Sequence, residues 1–311
     1  MRVIKVRSLI PVRLDKYLMD QFPTLGLGRL NKALRENKIK LNGKKQPLAT
    51  RVQNGDEIRL FILDDVLDGA DGKGTVSGAR CPAQPVYEDD QLLIVNKPAG
   101  LPSQGPSDED NLESRVALYH AQNGGKGPAP QLCHRLDTGT SGLVVLAKTP
   151  EAEALMGQLI RDHKMRKSYV CVTFGRPRPE AASLQGYLVK DAAKGMVYIQ
   201  QDNVPGARQV RTDYKTLAIS GRLALLQVEL ITGRTHQIRA HLASIGCPIL
   251  GDSKYGNNAA NRELKLKYQA LCAYELRFPD LHGTPLEAVS GKVLLCEKPW
   301  YYRQILDGTL K

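Results

Sequence analysis

Residues His134 to Thr149, H-R-L-D-T-G-T-S-G-L-V-V-L-A-K-T, set one carboxylate, Asp137, behind a His-Arg pair and ahead of a turn-forming run. The run then enters an apolar strand, Leu143 to Ala147. A carboxylate on the lip of a core strand is fixed in place, as a nucleophile or general base must be. An ordinary aspartate, with a pKa of about 3.9, is already ionised at pH 7, so it needs a cationic partner rather than an activating base. A second stretch, Leu225 to Gly256, offers one. There a strand runs through Leu230, Gly233 turns the chain, and a helix from about Thr235 shows Ile238, Leu242 and Ile245 at buried spacing before Gly246 stops it. Arg234 falls where strand becomes helix, a usual place for a site residue. Tyr169, in the alternating strand Ser168 to Phe174, presents a ring on a sheet beside basic residues; strand tyrosines are more often core than site.

Three other chemistries are weighed and set aside. D-T-G-T-S at Asp137 to Ser141 copies the aspartic-protease signature, which needs two carboxylates sharing a proton, and the chain holds no second D-T-G or D-S-G. G-L-V-V-L-A-K-T from Gly142 is one glycine short of a phosphate loop, and its interior is apolar strand. His236 and His241 stand five apart with no acidic residue between them, a poor pattern for a metal pair. No metal is expected.

The elements around these residues fall in order along the chain. Leu92 to Val95 form a continuous apolar strand ended by Asn96-Lys97-Pro98, with Gly100 permitting a turn. Residues 103–130 are polar and rich in Gly and Pro, and read as a surface insertion with one short helix around Leu112 to His120. Thr149 caps a helix that has Pro150 first, Glu151 and Glu153 in its opening turn, and Ala152, Leu155, Met156, Leu159 and Ile160 on its buried face. Leu271 to Phe278 and Val293 to Cys296 supply two more strands, and Trp300-Tyr301-Tyr302 end the domain.

The whole chain, 311 residues with 44 Lys and Arg against 32 Asp and Glu, carries a net charge of +12, which favours a polyanionic partner such as nucleic acid. That charge is local: residues 1–63 hold 14 basic and 5 acidic residues. In this segment Leu14, Tyr17, Leu18 and Phe22 share one helical face, and Leu30, Ala33 and Leu34 mark a second helix carrying Arg29, Lys32 and Arg35. Short strands follow from Lys38 to Leu41 and from Glu57 to Leu63, with turns at Asn42-Gly43 and Asn54-Gly55-Asp56. Residues 64–84, rich in Gly and Asp and poor in apolar residues, read as a flexible linker between this module and a domain spanning 85–311. Six cysteines lie far apart with no C-x-x-C pair, as buried thiols of a cytoplasmic protein do, and no apolar run is long enough to span a bilayer.

Y-E-D-D-Q-L-L-I-V-N-K-P-A-G-L, the stretch around Asp137 and T-G-R-T-H-Q-I-R-A-H-L-A-S-I-G-C-P-I-L-G-D-S-K-Y-G together resemble the RluA family of pseudouridine synthases, over about residues 86–298. The run R-L-N-K-A-L-R-E-N-K-I-K-L-N-G-K resembles the S-four-like RNA-binding module carried by ribosomal members of that family. The resemblance implies an α+β fold, with a mixed, largely antiparallel sheet flanked by helices and a small N-terminal α/β module. It implies a cofactor-free isomerisation of uridine in RNA, in which the ribose leaves the ring nitrogen and rejoins the uracil at its fifth carbon. Asp137 matches the family's catalytic aspartate, Tyr169 the tyrosine packing on the target base, and Arg234 the arginine that pairs with the aspartate. Arg135 matches the basic residue that helps push the uridine from its stack. His134, His236, Gln237 and Arg239 are expected on the RNA side of the site, with Arg29, Lys32 and Arg35 on the module.

Two departures bear on substrate fit. The family often has a His shortly after its N-K-P-x-G-L, where this chain has Pro102-Ser103-Gln104, and its late L-H-A is here Leu271-Cys272-Ala273. The basic module favours large-subunit ribosomal RNA as substrate, and a monomeric enzyme is expected. The alternatives are a transfer-RNA substrate, or a non-catalytic RNA-binding assembly factor, which would need none of Asp137, Tyr169 and Arg234.

Overall fold

In the computed structural model, which describes residues 2–8, 11–22, 27–62 and 79–311 and omits the side chains of residues 27–29 and 32, the first stretch folds around two amphipathic helices. Strands β1 (Arg2–Lys5) and β2 (Val12–Arg13) precede α1 (Leu14–Gln21) and α2 (Leu27–Arg35), and β3 (Ile39–Leu41), β4 (Arg51–Val52) and β5 (Glu57–Leu60) follow. β5 pairs antiparallel with both β1 and β3, and β2 with β4. Leu14, Tyr17, Leu18 and Phe22 bury the predicted face of α1 against Leu30, Ala33, Ile39, Ile58 and Leu60. Asn42 and Gly43 both have positive φ (49° and 77°), which closes the tight turn after β3. Arg35 is exposed; the side chains of Arg29 and Lys32 lie outside the description.

Residues through Ile62 group with Gly105–Glu109 in one compact unit, and Ala79–Gln104 with Asp110–Lys311 in another. Of the expected linker, residues 64–78 lie outside the described residues. Within residues 79–84, Ala83 is buried in the larger unit and donates its N–H to Arg115.

The larger unit contains β6 (Pro85–Glu88), β7 (Leu92–Lys97), α3 (Leu112–Gln122), β8 (Gln131–Leu132), β9 (Ser141–Ala147), α4 (Pro150–Arg161) and β10 (Arg166–Phe174). It continues through β11 (Ala181–Asp191), β12 (Met196–Gln200), β13 (Arg208–Ser220), β14 (Leu223–Leu230), α5 (Gln237–Ser244), α6 (Asn258–Glu263), β15 (Leu271–Arg277), β16 (Val293–Leu295) and α7 (Trp300–Leu306). Its sheet runs β12-β11-β13-β14-β10-β15-β9-β7-β6, with β16 beside β15 and β8 beside β9. The β9–β15 pair is parallel and the other pairings are antiparallel, the mixed sheet expected.

The runs Leu92–Val95 and Leu143–Leu146 are apolar without interruption because helices cover both sides of the sheet. Ile94, Leu143 and Val145 pack with Ala152, Met156 and Leu159 of α4 and Tyr301 and Ile305 of α7. Leu93, Val95, Val144 and Leu146 face the other way, onto Leu112 and Val116 of α3 and Ile238 and Leu242 of α5. α4 starts as predicted: the Thr149 hydroxyl accepts the Ala152 N–H, with Pro150 in the first turn.

Two expectations are corrected. Residues 103–130 are not merely a surface insertion, since α3 inside them contributes Leu112 and Val116 to the core. Ile245 is 37% exposed, because α5 ends at Ser244 and Gly246 turns the chain with φ 73°. Among the described residues no helix is long and apolar enough to cross a membrane.

Candidate active site

Asp137 lies in the loop between β8 and β9, and side chains at and just after the end of β7 hold the backbone of that loop. Ser103 Oγ donates to the carbonyl of Leu136 (2.8 Å) and accepts its N–H (3.1 Å), pinning the residue before Asp137. Lys97, wholly buried at the end of β7, donates to the carbonyls of Leu101 (2.6 Å), Pro98 (3.2 Å) and Thr138 (3.2 Å). Burial pushes its ammonium down to about 7 and the Asp137 charge opposes this. Three carbonyl acceptors suit an ammonium with three protons, so Lys97 ties the loop after β7 to the loop of Asp137. Gly142 lets β9 approach β15: a side chain there would run into the backbone of Ala273, its partner in the parallel ladder.

The cation bonded to Asp137 is Arg239, not Arg234. Arg239 Nη1 donates to Asp137 Oδ2 at 2.8 Å, while its Nε and Nη2 grip both oxygens of Asp252 at 2.7 and 2.9 Å. Asp252 Oδ1 also accepts the backbone N–H groups of Lys254 and Tyr255. Burial alone would raise the Asp252 carboxyl, and the Arg239 guanidinium outweighs it, holding Asp252 below its ordinary range. Burial likewise opposes the Arg239 charge, and the two carboxylates overcome it. Arg234 is exposed, and its backbone N–H is held by Gln237 Oε1 in the turn after β14.

One oxygen of Asp137 is thus held and the other, Oδ1, makes no hydrogen bond among the described residues. His236 Nε2 stands 3.9 Å from the held oxygen. His236 takes a left-handed backbone (φ 56°), which costs a non-glycine residue about 1 kcal/mol. Its Nδ1 meets the Tyr255 hydroxyl at 3.1 Å, and that oxygen already accepts the Val197 N–H. In the tautomer in which Tyr255 donates to Nδ1, the imidazole N–H sits on Nε2, on the side of Asp137. Burial keeps His236 below its ordinary pKa despite that carboxylate, so it is neutral at pH 7.

Tyr169, on β10, is 5% exposed and lines the same cleft as Asp137. Burial, then the Asp137 charge, raise its phenol well above the usual value, so it stays protonated. The cleft has a volume of about 880 Å³, the upper part of the range for ligand sites. Among the described residues Asp137 is its one acidic lining residue, against Arg135, Arg161, Lys167, Arg234, Arg239, Lys254 and Lys267.

Several residues expected to face RNA are committed to the protein instead. Gln237 is 2% exposed: Oε1 accepts from Thr232 Oγ1 and Arg234 N, and Nε2 donates to Arg211 O and Thr212 Oγ1. His134 Nε2 accepts the Val145 N–H at 3.2 Å, and burial pushes the imidazole down to about 3, so it braces β9 as a neutral ring. Arg239 serves the two aspartates. Arg135 remains exposed and donates to Gln104 at 3.1 Å. Sequence reasoning gave no role to Ser103, Gln104, Lys97 or Asp252; Lys97 and Asp252 lie within the motifs that carry the resemblance, and Ser103 and Gln104 just beyond one of them. His241 is buried with Nδ1 2.8 Å from Thr212 Oγ1, and among the described residues no cluster of His, Cys, Asp and Glu could hold a metal.

A family model described as RNA pseudouridylate synthase matches residues 91–244. The chain is 36% identical over 267 residues to a ribosomal large subunit pseudouridine synthase C of Rickettsia bellii, covering 82% of this chain and 86% of that protein. It is 30% identical over 301 residues to a ribosomal large subunit pseudouridine synthase D of Nitrosomonas europaea, covering 94% and 82%. Among solved structures it is similar to human RNA pseudouridylate synthase domain containing 4, with a TM-score of 0.59, 28% identity, and coverage of 72% of this chain and 92% of that one. The fold is that of RNA pseudouridylate synthase domains. The chain belongs to the RluA family of RNA pseudouridine synthases.

Proposed function

We propose that this enzyme isomerises uridines of large-subunit ribosomal RNA, with Asp137 as the reacting carboxylate. The observation that supports the site assignment is the half-held carboxylate: Arg239 grips Oδ2 and leaves Oδ1 free in a cleft whose other charged lining residues, among those described, are Arg and Lys. The substrate assignment rests on the relatives from Rickettsia bellii and Nitrosomonas europaea, both named for the ribosomal large subunit. The reaction breaks the bond from N1 to C1′, turns the uracil, joins C5 to C1′, releases the C5 proton and returns one to N1. Nothing is oxidised and no group is gained or lost, so no cofactor is required. Tyr169 gives the everted base a face to lie on, and Arg135 at the rim helps to fill the gap left in the RNA stack. Everting the base costs a few kcal/mol, which contacts to the surrounding RNA offset.

One chain supplies Asp137, Tyr169 and Arg239, so a monomer suffices, and a ribosomal RNA substrate favours the cytoplasm as its location. Residues 1–63 serve as the S-four-like RNA-binding module, joined through 64–84. Replacing Arg29, Lys32 and Arg35 together by Ala is expected to reduce the salt dependence of RNA binding by up to three log–log units while leaving turnover of bound RNA unchanged. Filter binding across a salt series checks the first effect and single-turnover assays the second.

The deciding experiment maps pseudouridines in ribosomal and transfer RNA from cells lacking this protein, with and without a plasmid-borne copy. Loss of a large-subunit site, restored by the wild type and not by Asp137→Asn, is the expected result. Loss confined to transfer RNA would overturn the substrate assignment, and an unchanged map the enzymatic one.

A further inference from the structure

The cations of the cleft differ in how their charge is answered. Arg239 has two carboxylates and Lys97, behind the cleft wall, has three carbonyls. Arg161, Lys254, Lys267 and Arg234 are exposed to solvent, which screens them at little cost. Lys167 fits neither pattern. It is half-buried, burial pushes its ammonium below the usual value, and it has neither a carboxylate nor a hydrogen-bond partner among the described residues. A desolvated cation left unpaired lowers the stability of the protein that holds it. It is compensated only when something else brings the opposite charge.

Its position indicates what that is. Lys167 stands two residues before Tyr169 on β10, and both line the cleft. Alternation along a strand puts such residues on one side, about 6.6 Å apart. That span resembles the reach from a nucleobase across its ribose to a phosphate. The Lys167 ammonium also lies against the turn after β14, 3.7 Å from where a side chain on Gly233 would begin, next to exposed Arg234.

We propose that Lys167 is the phosphate subsite of this cleft, pairing with a backbone phosphate that flanks the uridine everted over Tyr169, with Arg234 as the outer cation of the same subsite. This rests on the reading that an everted nucleotide occupies the cleft. The unpaired ammonium then serves binding at the expense of the free protein's stability.

The test compares the full-length wild type with Lys167→Met and Lys167→Arg. Binding of an unmodified large-subunit ribosomal RNA transcript is measured across a sodium chloride series, with turnover followed by tritium release from C5-labelled uridine and thermal unfolding recorded without RNA. Lys167→Met is expected to lessen the log–log salt slope by about one and to lower kcat/KM about tenfold, chiefly through KM. Its melting temperature should equal or exceed that of the wild type, and Lys167→Arg should restore the slope. An unchanged slope, or a Lys167→Met protein that melts lower than wild type, would overturn the proposal, the second because it would make Lys167 a structural residue. A wild type that binds the transcript without releasing tritium would overturn the choice of ribosomal RNA instead, and the slope comparison would still decide the role of Lys167.

Discussion

Replacing Asp137 by asparagine is expected to lower turnover by on the order of 10⁴-fold or more while RNA affinity stays the same or tightens slightly. The side chains have the same shape, and the amide can turn its oxygen toward Arg239 Nη1, which now bonds Asp137 Oδ2 at 2.8 Å. The amide nitrogen then occupies the place of Oδ1, a donor where the chemistry needs a nucleophilic or basic oxygen. Removing the one acidic lining residue from a cation-rich cleft weakens no attraction to phosphate and removes a repulsion. Single-turnover tritium release and filter binding on one RNA separate the two quantities. An affinity that falls in step with turnover would show that Asp137 shapes the cleft rather than reacting in it.

Arg239→Leu should be costly in two ways. Asp252 is fully buried and would keep only the backbone N–H groups of Lys254 and Tyr255, so unfolding free energy should fall by about 3–5 kcal/mol. Asp137 would lose the donor that aims it, and turnover should fall at least about a hundredfold. Adding Asp252→Asn removes the stranded charge, so the double variant should regain stability without regaining turnover. Arg234→Ala should leave melting and kcat near wild type, since its guanidinium is exposed.

The acid limb of stability tests the same pair. In the wild type the folded Asp252 carboxyl is depressed below its unfolded value. The pair's contribution is therefore complete above about pH 3.9 and is lost as pH falls through the lower folded value. In Arg239→Leu burial, the largest influence, is opposed only by the N–H groups of Lys254 and Tyr255 and raises the folded carboxyl instead, so the variant should gain stability as pH falls through that raised value. Denaturant titrations from pH 7 downward should thus show opposite trends. Parallel curves would mean that Asp252 is not the group Arg239 holds.

The order of residues sufficed for elements whose cause is local. Thr149-Pro150 started α4 because a hydroxyl three residues from an unpaired N–H and a ring with preset φ act within one turn. The unbroken apolar run Leu143 to Leu146 marked a core strand, and with it the lip on which Asp137 stands. The resemblance added the family and the roles expected of Asp137 and Tyr169. The hairpins from Ala181 to Ser220, which no local pattern marks, form because strands β11 and β13 pair along eight residues with each other. Their alternation of half-buried positions is too weak to stand out without that partner.

Tertiary packing alone decided which arginine meets Asp137. T-G-R-T-H-Q-I-R offers two guanidiniums five residues apart, and nothing along the chain ranks them. Gln237, held by β13 on one side, clamps the turn so that Arg234 points to solvent, while the first turn of α5 carries Arg239 inward between Asp137 and Asp252. Packing also turned Lys97 and Ser103 into braces for the Asp137 loop. The bonds from Ser103 to Leu136, from Lys97 to Thr138 and from Arg239 to Asp252 and Asp137 join residues 13 to 102 positions apart, and a pairing over such distances depends on the path of the intervening chain, which no local preference encodes.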